Sequence, residues 1–173
     1  FDHSEHMEFQ AQDGPEVYCG LAKLDGFLVA VAANRQGFLP AGYPAYADYA
    51  GIGGKLYREG LLKLSTFVSL CNRDKLPMIW FQDTTGIDVG DEAEKAEVLP
   101  LGQSLIYSQE DAVIPMATVV LRKGCAATHY IMGGPQASRN VFTLGTPTTE
   151  IYVMHGETAA VASYARRLVK EKE

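Results

Sequence analysis

Two short apolar runs, Leu76 to Gln82 and Ile114 to Arg122, lie a helix's length apart, and no other feature limits the possible folds as strongly. Each is too short for a typical buried helix and reads as a strand covered on both faces. Parallel neighbours need a crossover of about a dozen residues or more, usually a helix. The segment between the runs supplies one. After the turn-rich stretch Thr84 to Gly90, Asp91 offers an N-cap with Glu94 as a capping-box partner, and the helical pattern continues to about Gln109. A bend is expected at Pro100.

The rest of the chain follows the same alternation. Val17 to Leu24 and Phe27 to Ala33 read as strands joined by Asp25-Gly26, a strong two-residue hairpin signal. Lys55 to Asn72 reads as a helix with Leu61, Leu64, Phe67, Val68 and Cys71 on its inner face. A short helix is expected near Thr128 to Met132. Strands follow at Val141 to Leu144 and Glu150 to Met154. A closing helix spans Gly156 to Lys172, with Val161, Ala165, Leu168 and Val169 as its apolar face. Strands and helices in this order make an α/β fold with mostly parallel pairing. Asn34 to Gly54, rich in Gly, Pro and Tyr, is long enough to be a functional loop or a poorly ordered one.

With 173 residues, 47% apolar and 21% charged, the chain can pack one core. Its net charge of −6 argues against a general nucleic-acid binder, which needs clustered Lys and Arg. No run of apolar residues is long enough to span a membrane. Cys19, Cys71 and Cys125 are widely spaced, which suggests neither a disulfide framework nor a zinc site and fits a reducing, cytoplasmic setting. The polar, acidic start carries no signal peptide and no initiator Met, so a partial chain is expected.

In open α/β folds, ligands gather at the carboxyl ends of strands. Two such ends stand out: Gln82 to Gly90, and Lys123-Gly124-Cys125-Ala126-Ala127-Thr128-His129-Tyr130. Small residues at a strand-to-helix turn let a ligand approach the backbone, and the first amides of a helix have no intrahelical partner. Such amides can stabilise an oxyanion. The same small residues could equally serve close helix–sheet packing.

Other motifs carry less. Gly51-Ile52-Gly53-Gly54-Lys55-Leu56 lacks the third Gly of a dinucleotide loop and the Ser or Thr of a Walker loop, and reads as a turn entering a helix. Cys125 and His129 are spaced as a nucleophile pair, but a buried inert thiol is the commoner case. Asp83 and Asp88 could hold a metal or act as a base, or simply cap local amides. His3 and His6, with Glu5 and Glu8, read as a solvated segment, and no metal is expected.

Longer runs carry a family resemblance. Gln82 to Glu97, Ile52-Gly-Gly-Lys-Leu-Tyr57, His129-Tyr-Ile-Met-Gly-Gly-Pro135 and Tyr152-Val-Met-His-Gly-Glu-Thr-Ala-Ala160 resemble the carboxyltransferase subunits of biotin-dependent decarboxylases and acyl-CoA carboxylases. The likeness is strongest to the branch acting on glutaconyl-CoA. It extends to Ser4-Glu-His-Met-Glu-Phe9 and Gly14-Pro-Glu-Val-Tyr18, and covers nearly the whole chain. It implies a crotonase-like superhelix of ββα units, with this chain as the C-terminal, biotin-side half and the acyl-CoA-binding N-terminal half absent. It also implies carboxyl transfer between glutaconyl-CoA, or a related acyl-CoA, and biotin on a partner carrier protein.

Carried over by position, the family's oxyanion-hole amides fall on Ala127 and Thr128, with Gly86, Ile87 and Ala126 beside the biotin. Ala at 126 and 127 where the propionyl-CoA branch has Gly, and Thr at 128 where it has Ala, narrow the space above those amides. The resemblance further implies a biotinyl carrier domain as partner, a homodimer or higher oligomer, and a possible membrane decarboxylase subunit that would bring the chain to a membrane surface. An acetyl- or propionyl-CoA-type carboxylase, a non-catalytic docking piece and a crotonase-type hydratase or isomerase are the alternatives. The last would want an acidic base, and Glu150 is the nearest acid in sequence after the second strand end.

Overall fold

The computed structural model describes residues 1–134, 140–154 and 156–170, the last stretch without the side chains at 162, 165, 166 and 168–170. Its strands are β1 (His6–Glu8), β2 (Val17–Leu24), β3 (Phe27–Asn34), β4 (Lys55–Leu56), β5 (Met78–Thr84), β6 (Gly86–Ile87), β7 (Met116–Cys125), β8 (Asn140–Gly145) and β9 (Glu150–Tyr152). Its helices are α1 (Arg58–Asp74), α2 (Asp91–Lys95), α3 (Val98–Glu110), α4 (Ala126–Ile131) and α5 (Gly156–Lys170).

One sheet runs β1-β2-β3-β5-β7-β8, with β9 pairing the far end of β7; β4 and β6 form a second, two-stranded sheet. β1, β2 and β3 are antiparallel, whereas β3, β5, β7, β8 and β9 pair in parallel. The chain twice follows one path, from a long strand through a two-residue strand of the small sheet into a helix. First it runs β3, β4, α1; then β5, β6 and the α2–α3 pair. The parallel register of Lys55 with Gly86 and Leu56 with Ile87 locks the two turns together.

The expected hairpin forms. Asp25 and Gly26 adopt φ of 50° and 80°, and the Asp2 carboxylate accepts both of their amides at 3.0 and 2.6 Å. The inner face of α1 is buried as expected, with Leu61, Leu64, Phe67, Val68 and Cys71 packed on β2, β3 and β5 residues such as Cys19, Ala32 and Trp80. A smaller apolar cluster of Ala22, Val29 and Val31 lies apart from this core.

Several expectations fail for local reasons. Lys55 and Leu56 are strand, so α1 starts at Arg58 and not at Lys55. The Asp91 cap is not made: Gly90 is the N-cap, with no side-chain cap bond. The helix breaks at Glu97, where φ is 59°, and not at Pro100. Pro100 is the third residue of α3, within the first turn, where a missing N–H costs little. β1 forms within the segment read as solvated, and His3, Glu5 and His6 are exposed as expected. Val161 is exposed, and the packing of Ala165, Leu168 and Val169, together with Lys172, Pro135 and His155, lies outside what is described.

Candidate functional site

β7 ends at Cys125, the N-cap of α4, and Ala126 turns the chain into the helix at φ 44°. A left-handed non-glycine residue costs about 1 kcal/mol or more, which a small side chain limits. Ala126 and Ala127 are exposed, while Thr128 is buried, its hydroxyl donating back to the Cys125 carbonyl at 2.8 Å. Among the described residues no acceptor is bonded to the amide of Ala127 or of Thr128.

β6 packs directly against α4, which brings the two strand ends together. Between them lies an open groove of about 340 Å³ lined by Ile87, Leu99, Gly102, Ile106, Ala127 and Ile131, among others. Ile87 and Ala127 therefore share one surface. Gly86, Ala126 and Thr128 adjoin these two in the chain but do not line the groove. The opposite wall is α3, which sequence reasoning did not reach. There, Gly102 leaves room that an added Cβ would occupy, 3.4 Å from Ile87 Cδ1 and 3.8 Å from Ile131 Cδ1. A glycine inside a helical pattern was the available signal, since it costs about 1 kcal/mol relative to Ala.

Beneath α4 sits a buried polar clamp, also missed. The fully buried Gln82 donates through Nε2 to the carbonyls of His129 at 3.0 Å and Met132 at 2.5 Å. Its Oε1 faces His129 Nδ1 at 2.7 Å. Gln109, on α3, donates to the Ile131 carbonyl at 2.5 Å and accepts the Gly133 amide at 2.9 Å. Thr118 donates to the Gly133 carbonyl. The His129 ring lies against Gly124, where a Cβ would sit only 2.9 Å from Nδ1, so that position has no room for a side chain. The only sequence signal was polarity inside apolar runs.

Neither aspartate caps local amides or joins a metal cluster. Asp83 takes a two-pronged contact from Arg122, at 3.2 and 2.8 Å, and the Lys123 amide at 3.3 Å. Asp88 accepts from Lys55 at 2.6 Å, Tyr46 at 2.9 Å and Tyr49 at 2.6 Å. Burial pushes the Asp88 carboxyl up, but these three donors and the Lys55 charge outweigh it and hold it below the usual range. Glu16 accepts from Tyr43 at 2.7 Å and from the Tyr57 amide at 3.0 Å. The tyrosine-rich loop is thus strapped to the domain by two buried carboxylates.

Cys125 is buried and its thiol is pushed up, chiefly by burial, while His129 Nδ1 is engaged with Gln82, so the two do not form a nucleophile pair. No disulfide joins the three buried cysteines. Glu8 serves Arg35 at 2.7 Å and Lys63 at 3.4 Å. No group of three or more His, Cys, Asp or Glu side chains is placed to hold a metal among the described residues. Glu150 is nearer than its place in the chain suggests: it is exposed and in register with Lys123 beside the strand end.

The comparisons with known proteins agree with this architecture. The carboxyl transferase domain matches residues 1–173, and the chain belongs to that family. It is 58% identical over 176 residues to the glutaconyl-CoA decarboxylase subunit alpha of Acidaminococcus fermentans, covering 100% of this chain and 30% of that protein. Identity to the propionyl-CoA carboxylase beta chain of Saccharopolyspora erythraea is 27%, covering 99% and 29%. The beta subunit of the P. aeruginosa geranyl-CoA carboxylase superposes with a TM-score of 0.78 at 25% identity, over 98% of this chain and 29% of that one. The transcarboxylase 12S core gives 0.80 at 23% identity, over 96% and 29%, and supports the fold alone. The crotonase-like α/β fold implied by the resemblance is therefore the fold observed. The chain spans about 30% of the length of these relatives. No helix among the described residues is long and apolar enough to cross a membrane.

Proposed function

We propose that this chain is the biotin-side half of a carboxyltransferase that moves a carboxyl group between glutaconyl-CoA, or a close relative, and biotin on a carrier protein. The observation that carries this reading is the pair of unbonded amides at the start of α4, that of Ala127 on the apolar groove and that of Thr128 next to it in the chain. The groove suits a compact bicyclic ligand: Ile87, Leu99, Ile106 and Ile131 offer apolar walls, Gly102 leaves depth, and the amides offer donors to a ureido oxygen. Biotin would supply the nitrogen that takes up the carboxyl group. Its N–H proton replaces the carboxyl on the acyl-CoA carbon, which keeps the electron pair of the broken C–C bond, so atoms and charge balance.

The residues of this chain would act by position. Ala127 and Thr128 donate to the oxygen on which charge builds, and one such donor is worth roughly 3–4 kcal/mol. Ile87 and the α3 wall keep water away, which strengthens those hydrogen bonds. The acyl-CoA would bind in the part of the protein outside these residues, in a homo-oligomer whose partners include the carrier and, for a decarboxylase, a membrane subunit.

The test is Thr128→Pro in the full-length protein, with Thr128→Val as control. Thr128 is the third residue of α4, as Pro100 is of α3, so proline is tolerated by the helix while one amide is removed. The proline variant should lose about 100- to 1,000-fold in kcat and the valine variant much less. Normal transfer by Thr128→Pro refutes the reading. The placement of Glu150 favours one rival, an acid–base hydratase; loss of enoyl-CoA hydration in Glu150→Gln, with biotin transfer absent from the wild type, would establish it instead.

A further inference from the structure

The buried Gln82 side chain makes three contacts whose geometry leaves no freedom in its amide. Its Nε2 faces two carbonyls, those of His129 and Met132, and only an N–H donor can face both. The Oε1 therefore faces His129 Nδ1, which must carry a proton, leaving Nε2 of the imidazole as an acceptor. One side chain near the end of β5 thus holds the second half of α4 and its C-cap, the helix that opens with Ala126, Ala127 and Thr128, and selects the tautomer of the ring packed on Gly124.

Resting on the carboxyltransferase reading above, we propose that Gln82 is the positioning residue of the site: it anchors α4 and so fixes the aim of the unbonded Ala127 and Thr128 amides at the start of that helix. It touches no substrate. Gln109 and Thr118 tie the end of α4 and the residue past its cap, at Ile131 and Gly133, so removing Gln82 frees the His129 and Met132 carbonyls and the His129 ring while Ile131 and Gly133 stay tied. Amides that must aim at a developing charge are sensitive to shifts of an ångström, because the donor–acceptor distance is short. A merely structural buried glutamine would change stability and leave the chemical step alone.

The experiment uses full-length protein labelled with 15N-histidine, with His129→Asn to assign the ring signals by solid-state NMR. Gln82→Met keeps the side-chain length and removes all three contacts. It should lower kcat at least tenfold, leave KM for the biotin acceptor within threefold, and convert the His129 signal from the Nδ1–H form to a mixture of tautomers. Gln82→Glu can still accept from Nδ1–H, and, kept protonated by its burial, can donate to only one of the two carbonyls. It should keep the tautomer and lose kcat as the methionine variant does; this arm stands alone if Gln82→Met does not fold. A kcat within twofold of wild type in either variant overturns the positioning role. If Gln82→Met is impaired while Thr128→Pro is normal, the amide reading fails and the purpose given to the anchor fails with it. If Thr128→Pro is impaired and Gln82→Met is normal, the anchor alone fails.

Discussion

Gly102→Ala separates what the groove is for from what the fold needs. The residue lies inside α3 and is buried. Replacing a helical glycine by alanine gains about 0.8–1.0 kcal/mol, largely because the unfolded chain has fewer conformations to lose. The new Cβ would sit 3.4 Å from Ile87 Cδ1 and 3.8 Å from Ile131 Cδ1, both ordinary contacts, so no strain offsets that gain. A domain of this size should then unfold roughly 2–4 °C higher. The same methyl occupies the groove, and one extra carbon in a filled ligand site costs about 1–3 kcal/mol, or roughly 5- to 150-fold in affinity. Thermal unfolding and carboxyl transfer with varied biotin acceptor should move in opposite directions, with KM rising while the protein becomes more stable. Gly102→Leu should block transfer. A leucine variant with full activity would show that no ligand enters between α3 and α4. A destabilised alanine variant would show that the glycine serves packing.

Two further outcomes follow from buried charges. Asp88→Asn weakens the straps from Lys55, Tyr46 and Tyr49 and should cost about 1.5–3 kcal/mol, with faster proteolysis confined to the Asn34–Gly54 loop; unchanged cleavage there would refute the strap. Because Asp88 is held below the usual range, its contribution is complete above the unfolded value of 3.8 and is lost as pH falls through its lower folded value. His129 is held below its ordinary 6.5 by burial, so the unfolded chain takes up a proton that the folded one resists. Its contribution should be complete above about pH 6.5 and decline as pH drops toward the depressed value. Denaturant unfolding of wild type and His129→Asn across that window should show a smaller pH slope in the variant, and equal slopes would remove His129 from the account.

The Asp25-Gly26 hairpin, the buried face of α1, the strands β5 and β7 and the small-residue turn into α4 are all legible in the amino-acid order. Each rests on a neighbour within a few residues: a turn dipeptide, a helical repeat, an apolar run bounded by breakers. The short strands β4 and β6 were not legible, because two residues show no period and their pairing joins Lys55 to Gly86. Nor was the break at Glu97, since a left-handed residue there starts a new helix whose first turn accommodates Pro100. Asp83 and Asp88 could be read as metal ligands, a base or local caps from their turn neighbours, yet their side chains take Arg122, Lys55, Tyr46 and Tyr49 from distant segments. Gln82, Gln109 and Gly102 were silent for the same reason: a buried amide or a missing side chain acquires meaning only when strand and helix ends separated in the chain meet. Local order sufficed for the longer elements and for the two strand ends. That those ends close on one groove, above a clamp of buried amide side chains, was decided by the parallel pairing of β5 with β7 and by α3 folding across them, since only long-range contacts set that geometry.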